Sequence, residues 1–553
     1  MPMSLFDRHQ AVLSQAVNAA KTREYWSAFP ENPSPKVYGE TAQADGQAAA
    51  EAYLGKDFPL AQPGERGRVA TEQSPYGVTM EVRYPDCDPQ TLIASAQTAE
   101  PAWRALGVKG RLGVLLEALA RIHKRSHEIA HAVQITSGQG PMMAFQAGGP
   151  HAQDRALEAL AYAWMAQADV PDVTRWEKPQ GKNPSLVMEK RFEIVGRGIG
   201  LVIGCATFPT WNTYPGLFAS LATGNPVLVK PHPNAVLPAA ISVAIIRDVL
   251  TEQGLDANLV QLALCPEPAD TQALATHPAV ASIDFTGSTE FGHWLQSNAK
   301  QARLYAEMAG VNTVIIESTD DYAAMLKNMA FTLALYSGQM CTTTQNILIP
   351  KDGITTESGH KSFDQVGQDL GIALDTLLSD PRVATAVLGA IASTATLDRI
   401  AASAQKGRLV HASQKLVHPQ FPKAHLQTPQ LIALTEADSA IYNAECFGPV
   451  AYLVAVKDGA AALAVAQRTV QQHGALTLGV YSQNASYVDQ AVQTSLRAKV
   501  ALSINLTQGI FVNQTAAYSD YHATGGNPAA NASYTTLAFV ADRFVVVQQR
   551  QHV

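Results

Sequence analysis

Cys341 is the residue whose sequence surroundings best suit a nucleophile. It follows a glycine-containing turn in Ser337-Gly-Gln-Met-Cys-Thr-Thr-Thr. A thiolate is a strong nucleophile, but a single cysteine is more often a small buried apolar residue, so this segment alone indicates catalysis only weakly. None of the five cysteines forms a CxxC pair or has a histidine nearby in the sequence, so neither a disulfide framework nor a metal site is predicted.

Two other polar residues stand in segments that could assist such a nucleophile. Glu307, in Leu304-Tyr-Ala-Glu-Met-Ala-Gly, is a carboxylate among apolar and small residues. Burial penalises its charged form, so we expect a pKa raised toward the range of a general base; the alternative is a helix-terminal or ion-paired glutamate. Asn212 lies in the turn Pro209-Thr-Trp-Asn-Thr-Tyr-Pro, where an asparagine is by default a turn residue.

A third segment could bind phosphate. Phe285-Thr-Gly-Ser-Thr-Glu-Phe-Gly ends an apolar run with a glycine turn that includes Gly287 and Ser288. A helix is expected to begin there, and the free backbone N–H groups at a helix start bind anions. The segment lacks the full GxGxxG spacing, so alone it is a weak signal.

The elements that position these residues alternate between strands and helices. Apolar runs at 226–229, 259–264 and 281–285 are separated by helix-like segments such as 239–252, which is typical of a parallel βαβ sheet. A second series begins at Thr313. Further elements are expected as amphipathic helices at 112–122, 323–336 and 458–472, a projecting strand pair near 186–193, and a C-terminal strand at 538–547.

In this order, the segments resemble the aldehyde dehydrogenase superfamily from about Ala94 onward. Several motifs in family order are far more specific than any one of them. The matching motifs are Trp211-Asn212, Gly224-Asn-Pro-Val-Leu-Val-Lys-Pro231, Phe285-Thr-Gly-Ser-Thr, the Glu307 segment, Gly338-Gln-Met-Cys341, Glu445-Cys-Phe-Gly-Pro449 and Asn505.

The resemblance implies a catalytic role for three residues. Cys341 would attack the aldehyde carbon as a thiolate. The side-chain amide of Asn212 and the backbone N–H of Cys341 would hold the oxyanion, and Glu307 would activate the water that hydrolyses the thioester.

The resemblance also implies a nicotinamide cofactor, NADP or NAD, and no metal. Lys230 would contact the adenosine ribose, and Trp211 and Ser288 would lie near the pyrophosphate. The remaining cofactor-binding residues would be Gly287 and Met308, together with Glu445 and Phe447 at the nicotinamide ribose and ring.

Three positions depart from the usual family pattern. The common Glu-Leu-Gly-Gly-Lys motif is Glu307-Met-Ala-Gly-Val here, and Asn346 replaces an arginine often found five residues after the nucleophile. Pro233 replaces a carboxylate that often bonds the ribose 2′-hydroxyl. Because the repulsion of a 2′-phosphate by that carboxylate is missing, we expect NADP to be accepted at least as well as NAD.

Within the superfamily the chain is most similar to the PaaN-type dehydrogenases of phenylacetate degradation. The similarity is clearest in Val229-Lys-Pro-His-Pro-Asn and Tyr521-His-Ala-Thr-Gly-Gly-Asn-Pro-Ala-Ala-Asn. It implies a CoA-linked semialdehyde as substrate. The hydratase domain of bifunctional relatives is expected to be absent, because the residues after Glu445 are taken up by dehydrogenase motifs and a terminal strand.

The fold implied is α/β and aldehyde dehydrogenase-like, with three parts. They are a Rossmann-like cofactor domain (1–183 and 200–309), an α/β catalytic domain (310–514) and a small β oligomerisation element (184–199 and 515–553). A homodimer or homotetramer is expected. Four alternatives stay open. Two are dehydrogenases: a CoA-acylating one, which retention of Glu307 argues against, and another semialdehyde dehydrogenase outside phenylacetate catabolism. The others are an inactive, structural use of the fold and a thiol hydrolase, for which the sequence shows no histidine placed as a partner of Cys341.

Composition agrees with a large enzyme that acts on small molecules. The 553 residues are 47% hydrophobic and 16% charged, which excludes a disordered chain and suits several α/β domains. A net charge of −7 argues against a nucleic-acid partner. No apolar run is long enough to span a membrane and the N-terminus has no secretory signal, so a cytoplasmic protein is expected.

Overall fold

The N-terminal third of the chain is mostly helical. The computed structural model describes residues 3–308 and 310–553. The amphipathic helix expected at 112–122 is confirmed, because its recurring leucines are buried. The elements are α1 (Leu5–Thr22), α2 (Pro35–Tyr38), α3 (Ala42–Glu51), β1 (Glu65–Val69), β2 (Tyr84–Cys87), α4 (Pro89–Ala105), α5 (Gly107–Lys124), α6 (Ser126–Ser137), α7 (Pro141–Gly148), α8 (Pro150–Gln167), β3 (Val173–Gln180) and β4 (Asn183–Gly196).

A five-stranded parallel sheet follows, here called the cofactor sheet. Its strands run in the order β7-β6-β5-β8-β9. Its central strand, Ile-Gly-Leu-Val-Ile, is buried throughout, as expected for a strand covered by helices on both faces. The elements are β5 (Ile199–Ile203), α9 (Tyr214–Ala222), β6 (Val227–Lys230), α10 (Leu237–Glu252), a 3-10 turn (Ala257–Leu259), β7 (Val260–Leu262), α11 (Pro268–Thr276), β8 (Val280–Thr286), α12 (Thr289–Asn298) and β9 (Arg303–Glu307).

The second sheet, here called the catalytic sheet, has seven strands in the order β14-β17-β18-β11-β10-β19-β20. β14 is antiparallel to β17, and the other neighbours are parallel. The elements are β10 (Thr313–Ile316), α13 (Tyr322–Ala334), a 3-10 turn (Leu335–Gly338), β11 (Asn346–Pro350), β12 (Ile354–Thr356), β13 (Gly359–Lys361), α14 (Phe363–Leu378), α15 (Pro381–Val387), α16 (Thr394–Ser403), β14 (Arg408–His411), β15 (Lys415–Leu416), β16 (Leu426–Gln427), β17 (Gln430–Thr435), α17 (Ser439–Tyr442), β18 (Val450–Val456), α18 (Gly459–His473), β19 (Thr477–Tyr481), α19 (Ala485–Ala498) and β20 (Ala501–Ile504).

The C-terminal part corrects the expected strand at 538–547. Residues Leu537–Ala541 form a helix, α20, because the Thr536 side chain caps its first turn by accepting from the N–H of Phe539. The strand β21 covers Phe544–His552 and pairs antiparallel with β4. Its sheet has the order β21-β4-β3, so the expected boundary at residue 184 falls inside the β3–β4 hairpin.

A buried ion pair ties the three-stranded sheet to the cofactor sheet. Arg543, just before β21, binds Asp284 of β8 with both terminal nitrogens, at 2.8 and 2.5 Å. It also donates to Ser220 Oγ at 2.7 Å. A bidentate pair fixes orientation as well as distance. In the described residues no helix is long and apolar enough to cross a bilayer; the cytoplasmic location stays a prediction.

Candidate active site

The loop that carries Cys341 is held in an unusual backbone conformation. Tyr336 and Ser337 have φ values of 55° and 50°, a region that residues other than glycine rarely adopt. Their side chains anchor the turn, because the Tyr336 hydroxyl donates to the Ser137 carbonyl at 2.6 Å and Ser337 Oγ to the Gly389 carbonyl at 3.0 Å. Gly338 packs so closely on the Gly448 carbonyl that a Cβ would clash with it. The nucleophile loop is therefore fixed by tertiary contacts.

Asn312 joins this loop to the edge of the catalytic sheet. Its Nδ2 donates to the carbonyls of Cys341 at 2.8 Å and Thr343 at 3.0 Å. Its Oδ1 accepts from the N–H groups of Leu476 at 2.9 Å and Thr477 at 3.0 Å. One buried side chain thus satisfies four backbone groups, and it places Cys341 beside the N-terminal ends of β10, β11 and β19.

Glu307 ends β9 of the cofactor sheet and points toward Cys341. Its Oε2 accepts from His522 Nε2 at 3.1 Å and from the Tyr534 hydroxyl at 3.0 Å. Burial raises the pKa of Glu307, but the charge and hydrogen bond of His522, with the donors of Cys341 and Tyr534, outweigh burial and bring this pKa below its usual value. The expectation of a raised pKa was therefore wrong.

The thiol of Cys341 lies in the same cluster. One donor atom each of Glu307, Cys341 and His522 lies within 4.8 Å of the other two. Burial, followed by the negative charge and the hydrogen bond of Glu307, raises the pKa of Cys341 well above its usual range. The thiol therefore needs a base to become a nucleophile, and Glu307 is the carboxylate beside it.

His522 and Tyr534 were not predicted as site residues. Both lie in the stretch 515–536, which precedes α20 and had been assigned to the oligomerisation element. The His522 side chain is 3% exposed, and its ring packs edge-on against Trp211 with centroids 4.7 Å apart. His522 stands in the segment Tyr521-His-Ala-Thr-Gly-Gly, which in the sequence indicates a subfamily but no site residue. A histidine does therefore stand next to Cys341, contrary to the sequence-based expectation.

Asn212 completes the group of three predicted catalytic residues. Its Nδ2 donates to the Tyr534 hydroxyl at 3.2 Å, so Tyr534 links it to Glu307. Its Oδ1 lies 3.5 Å from the Cys205 thiol. Asn212 and Cys341 line the same cleft.

That cleft has a volume of about 770 Å³ and a largely apolar, aromatic wall. Within the described parts of the chain, carboxylates line it but lysines and arginines do not. The N-terminal segment contributes to the wall. The aromatic and methionine side chains are Tyr25, Trp26, Phe208, Trp211, Phe331, Phe511, Met142, Met143 and Met340, and the carboxylates are Glu31, Asp154 and Asp520.

The predicted cofactor residues of the first sheet lie at the C-terminal ends of its strands. Lys230 ends β6; burial lowers its pKa, and no carboxylate of the described chain lies within ion-pair distance of it. Gly287 follows β8, and a side chain there would meet the Phe285 ring at 2.7 Å. Ser288 caps α12 by accepting from the N–H of Phe291 at 3.3 Å. Lys230, the turn at Gly287 and the start of α12 at Ser288 therefore lie at the same edge of the cofactor sheet.

Glu445 and Phe447 approach from the catalytic sheet. Gln345 holds their segment, since its Oε1 accepts from the N–H of Cys446 at 2.6 Å. Desolvation by the surrounding protein atoms raises the pKa of Glu445 to about 7, whereas the charge of Arg399 and the N–H of Gly310, in the segment after Glu307, lower it. Asn346, in place of the family's arginine, donates to the Tyr442 carbonyl at 2.9 Å and helps to hold the same segment.

Two predicted cofactor residues use their side chains elsewhere. Trp211 lines the cleft beside Cys341, and the Arg155 guanidinium lies 5.4 Å from its ring. The Met308 side chain is buried against Gly292 of α12, while its N–H donates to the Ala529 carbonyl at 2.7 Å. Backbone contacts of Trp211 and Met308 with a cofactor stay predictions.

Comparison with known proteins shows which family the chain belongs to. The model of the "Aldehyde dehydrogenase family" matches residues 74–519, which is most of the chain. The chain belongs to the aldehyde dehydrogenase family. It is therefore an enzyme, an oxidoreductase.

Solved structures and curated relatives agree with this assignment. The enzyme is 53% identical to an NAD-dependent aldehyde dehydrogenase from Burkholderia multivorans, with a TM-score of 0.98 and all of both chains covered. A curated 1-pyrroline-5-carboxylate dehydrogenase from Bacillus cereus is 25% identical over 470 residues, 81% of this chain and 85% of the relative. A Thermus 1-pyrroline-5-carboxylate dehydrogenase with bound NAD, 19% identical, shares the fold with a TM-score of 0.75, covering 96% of this chain and 99% of that one.

The family match also explains what sequence reasoning missed in this aldehyde dehydrogenase. The predicted catalytic residues Cys341, Glu307 and Asn212 lie inside the matched region and come together in the structure. His522 and Tyr534 lie beyond residue 519, where the match ends. Family motifs could not point to them, and only their hydrogen bonds to Glu307 reveal them.

Proposed function

We propose that this aldehyde dehydrogenase oxidises an aldehyde to a carboxylic acid through a thioester on Cys341, with NAD or NADP as hydride acceptor. The observation that carries this proposal is the cluster in which Glu307 lies beside the Cys341 thiol while Tyr534 links the same carboxylate to Asn212. A nucleophile, a base and an oxyanion donor are thus within reach of one carbonyl carbon.

The first half of the reaction forms the thioester. Glu307 takes the thiol proton, and the Cys341 sulfur attacks the aldehyde carbon. Asn212 Nδ2 and the backbone N–H of Cys341 donate to the resulting oxyanion, and one such donor is typically worth ~3 to 4 kcal/mol. The nicotinamide cofactor, when bound, accepts the hydride that leaves the tetrahedral carbon, so that a thioester remains on Cys341.

The second half releases the acid. Glu307, once its first proton has passed to solvent, deprotonates a water molecule that attacks the thioester carbon. The carbon–sulfur bond breaks, and Cys341 leaves as a thiolate. His522 and Tyr534 hold Glu307 on the thiol side of the cleft throughout, since both donate to the same Oε2 and leave Oε1 free to receive protons.

The residues of the cofactor sheet fit a dinucleotide. Lys230 has no partner carboxylate in the described residues, the turn at Gly287 excludes any side chain, and α12 presents its N-terminal N–H groups after Ser288. These residues would hold the ribose and pyrophosphate, and Glu445 and Phe447 would hold the nicotinamide end. The NAD dependence stated for the Burkholderia multivorans relative supports the same cofactor class.

For the substrate, we propose the CoA-linked semialdehyde of phenylacetate degradation, whose uncharged aldehyde-bearing acyl end would lie in the cleft while the phosphates of CoA remain outside it. The aromatic and methionine wall of the cleft supports it, and so does the Tyr521–Asn531 motif, which contacts Glu307 through His522. The second candidate is the pyrroline-5-carboxylate activity of the curated relatives. That substrate is a small carboxylate, and a cleft whose described lining has carboxylates but no lysine or arginine does not favour it.

A substrate panel tests the proposal. Purified enzyme is mixed with NAD or NADP and one of three aldehydes: the CoA-linked semialdehyde, a simple aromatic aldehyde, or glutamate semialdehyde. We expect reduced cofactor and free acid with the first two, and a kcat/KM at least tenfold lower with the third. A preference for glutamate semialdehyde would contradict the substrate proposal. Formation of an acyl-CoA product only when free CoA is added would instead indicate the acylating alternative.

For the assembly, we propose a homodimer or homotetramer built through the three-stranded sheet. β21 is an edge strand, and three consecutive valines on it are exposed, Val545, Val546 and Val547 at 37%, 43% and 45%. An unpaired apolar edge of this kind favours pairing with a second copy. Light scattering should give a mass of at least twice 59.0 kDa, and Val546→Lys should lower it; a monomeric wild type would contradict the proposal.

A further inference from the structure

The side chains around Cys341 are of the types that bind metal ions. A thiol, an imidazole and a carboxylate meet there, on Cys341, His522 and Glu307, with one donor atom from each within 4.8 Å of the others. Thiolate, imidazole and carboxylate are the ligands that zinc prefers. We infer that this aldehyde dehydrogenase binds one Zn²⁺ at Cys341, His522 and Glu307, and that the ion reversibly blocks the enzyme.

The geometry is close to that of a zinc site. Ligand atoms on a tetrahedral zinc lie about 3.3 to 3.6 Å apart, given metal–ligand distances of about 2.0 to 2.3 Å. The His522 Nε2 and Glu307 Oε2 atoms are 3.1 Å apart, so that edge of the tetrahedron already exists. The Cys341 sulfur lies within 4.8 Å of the other two ligand atoms, so it has to come closer by about 1 Å at most to reach the third corner.

The charge balance of the bound ion suits this buried position. Zinc with one thiolate, one carboxylate and a neutral imidazole has no net charge, which suits side chains that are 3% exposed. Binding forms Zn–S, Zn–N and Zn–O bonds, and the protons of the thiol and of His522 Nε2 pass to solvent. No electron is transferred. Mg²⁺ and Ca²⁺ prefer all-oxygen sites and are not expected to compete.

The site is accessible and leaves one position open. Cys341 and His522 both line the large cleft, so an ion can enter from solvent and keep a water as its fourth ligand. A thiolate bound to zinc cannot attack an aldehyde. The inhibition rests on the proposed function, whereas the binding of the metal does not.

Cobalt is the probe that tests the binding directly. Titration of the enzyme with Co²⁺ should produce a thiolate-to-metal absorption band and the strong visible bands of four-coordinate cobalt, saturating at one equivalent per chain. One equivalent of Zn²⁺ should abolish them, and excess Mg²⁺ should not. No thiolate band in the wild type, or displacement by Mg²⁺, would overturn the inference.

Matched variants identify the ligands. Cys341→Ser should remove the thiolate band, whereas Cys205→Ser should keep it, because Cys205 lies near Asn212 but outside the ligand set. His522→Ala should weaken cobalt binding at least tenfold. Tyr534→Phe removes the other donor to Glu307 without removing a ligand, so its affinity should stay within about threefold of the wild type. Equal affinity in His522→Ala and wild type would overturn the assignment.

A second measurement needs no variant and no turnover. Zn²⁺ should slow the alkylation of Cys341 by iodoacetamide at least tenfold, and a chelator should restore the rate, as read by peptide mass spectrometry. An unchanged alkylation rate would overturn the inference. If the enzyme oxidises no aldehyde but still shows the cobalt band and this protection, the proposed function fails and the metal site stands; aldehyde oxidation without either signal gives the opposite result.

Discussion

The two sheets of this aldehyde dehydrogenase offer opposite edges to the active site. On the cofactor sheet, the site residues follow the C-terminal ends of the strands: Lys230 ends β6, Ser288 follows β8 and Glu307 ends β9. On the catalytic sheet they precede the N-terminal ends. Asn312 stands directly before β10, and the loop of Cys341 leads into β11.

The difference shows two ways to position a functional group. The C-terminal edge of a parallel sheet is followed by helix starts whose free N–H groups bind anions, so the fold itself prepares a cofactor site there. The N-terminal edge has no such property. The nucleophile loop is instead held by individual side chains, Asn312 under Cys341 and Gln345 under the segment of Glu445.

The largest expected effect is a loss of the function at one sheet edge with the function at the other edge retained. Cys341→Ala should abolish aldehyde oxidation while cofactor binding at the opposite sheet edge stays largely intact. Turnover is measured as reduced-cofactor formation, and binding by the change in protein fluorescence on cofactor titration. Cys87→Ala, a buried cysteine remote from the site, should behave like the wild type. Any measurable aldehyde oxidation by the Cys341 variant would refute its role as the nucleophile.

A variant of Glu307 tests how the two sheet edges act together, because Glu307 belongs to the cofactor sheet but is proposed to act on Cys341 of the catalytic domain. Glu307→Gln keeps the shape but removes the base, which typically contributes about 10² to 10⁴-fold. Solvent can replace Glu307 in taking the thiol proton, but only slowly, so acylation should be slowed and hydrolysis slowed more. Mixing this variant with aldehyde and cofactor should therefore give a slow burst of about one equivalent of reduced cofactor per site, then much slower turnover, with an acyl-enzyme on Cys341 visible by intact mass.

Other outcomes of the same experiment have defined meanings. The absence of a burst would show that no base other than Glu307 can take the thiol proton of Cys341 before hydride transfer. Normal turnover would show that the carboxylate is structural, and the CoA-acylating alternative would then gain support.

A smaller effect is expected when the support of the nucleophile loop is removed. Asn312→Ala leaves four buried backbone groups without their partner, so the free energy of unfolding should fall by about 2 to 4 kcal/mol and kcat should fall at least tenfold. Asn505→Gly is the matched control, because Asn505 makes two similar bonds to Ser482 at the other edge of the sheet and has a φ of 51° that glycine tolerates. It should lower stability but keep kcat. Equal losses of kcat would refute the special role of the N-terminal edge.

The smallest effect concerns cofactor choice at the C-terminal edge. Pro233 removes a repulsion on the order of 1 to 4 kcal/mol between a carboxylate and a 2′-phosphate, so kcat/KM with NADP should at least equal that with NAD. Pro233→Glu should shift the ratio toward NAD by about tenfold or more. A strong NAD preference in the wild type would show that another position controls selection.

The sequence by itself determined much of the local structure, and its motifs were enough to predict a nucleophile and the two residues that would act with it. Apolar runs at 226–229 and 281–285 became β6 and β8, and the helix expected at 239–252 became α10. These elements could be predicted because the spacing of apolar residues along the sequence reflects which face of a helix or strand is buried. Cys341, Glu307 and Asn212 could be predicted as site residues because each stands in a contiguous motif.

Only the tertiary structure decided how these three residues are held and charged. His522, Tyr534 and Asn312 contact the trio from segments distant along the chain, and no spacing in the sequence encodes such a meeting. The direction of the Glu307 pKa shift depends on the balance between burial and donors within a few ångströms, which reversed the expectation drawn from burial alone. Likewise, the strand expected at 538–547 began as a helix because a local cap at Thr536 prevailed over its apolar pattern.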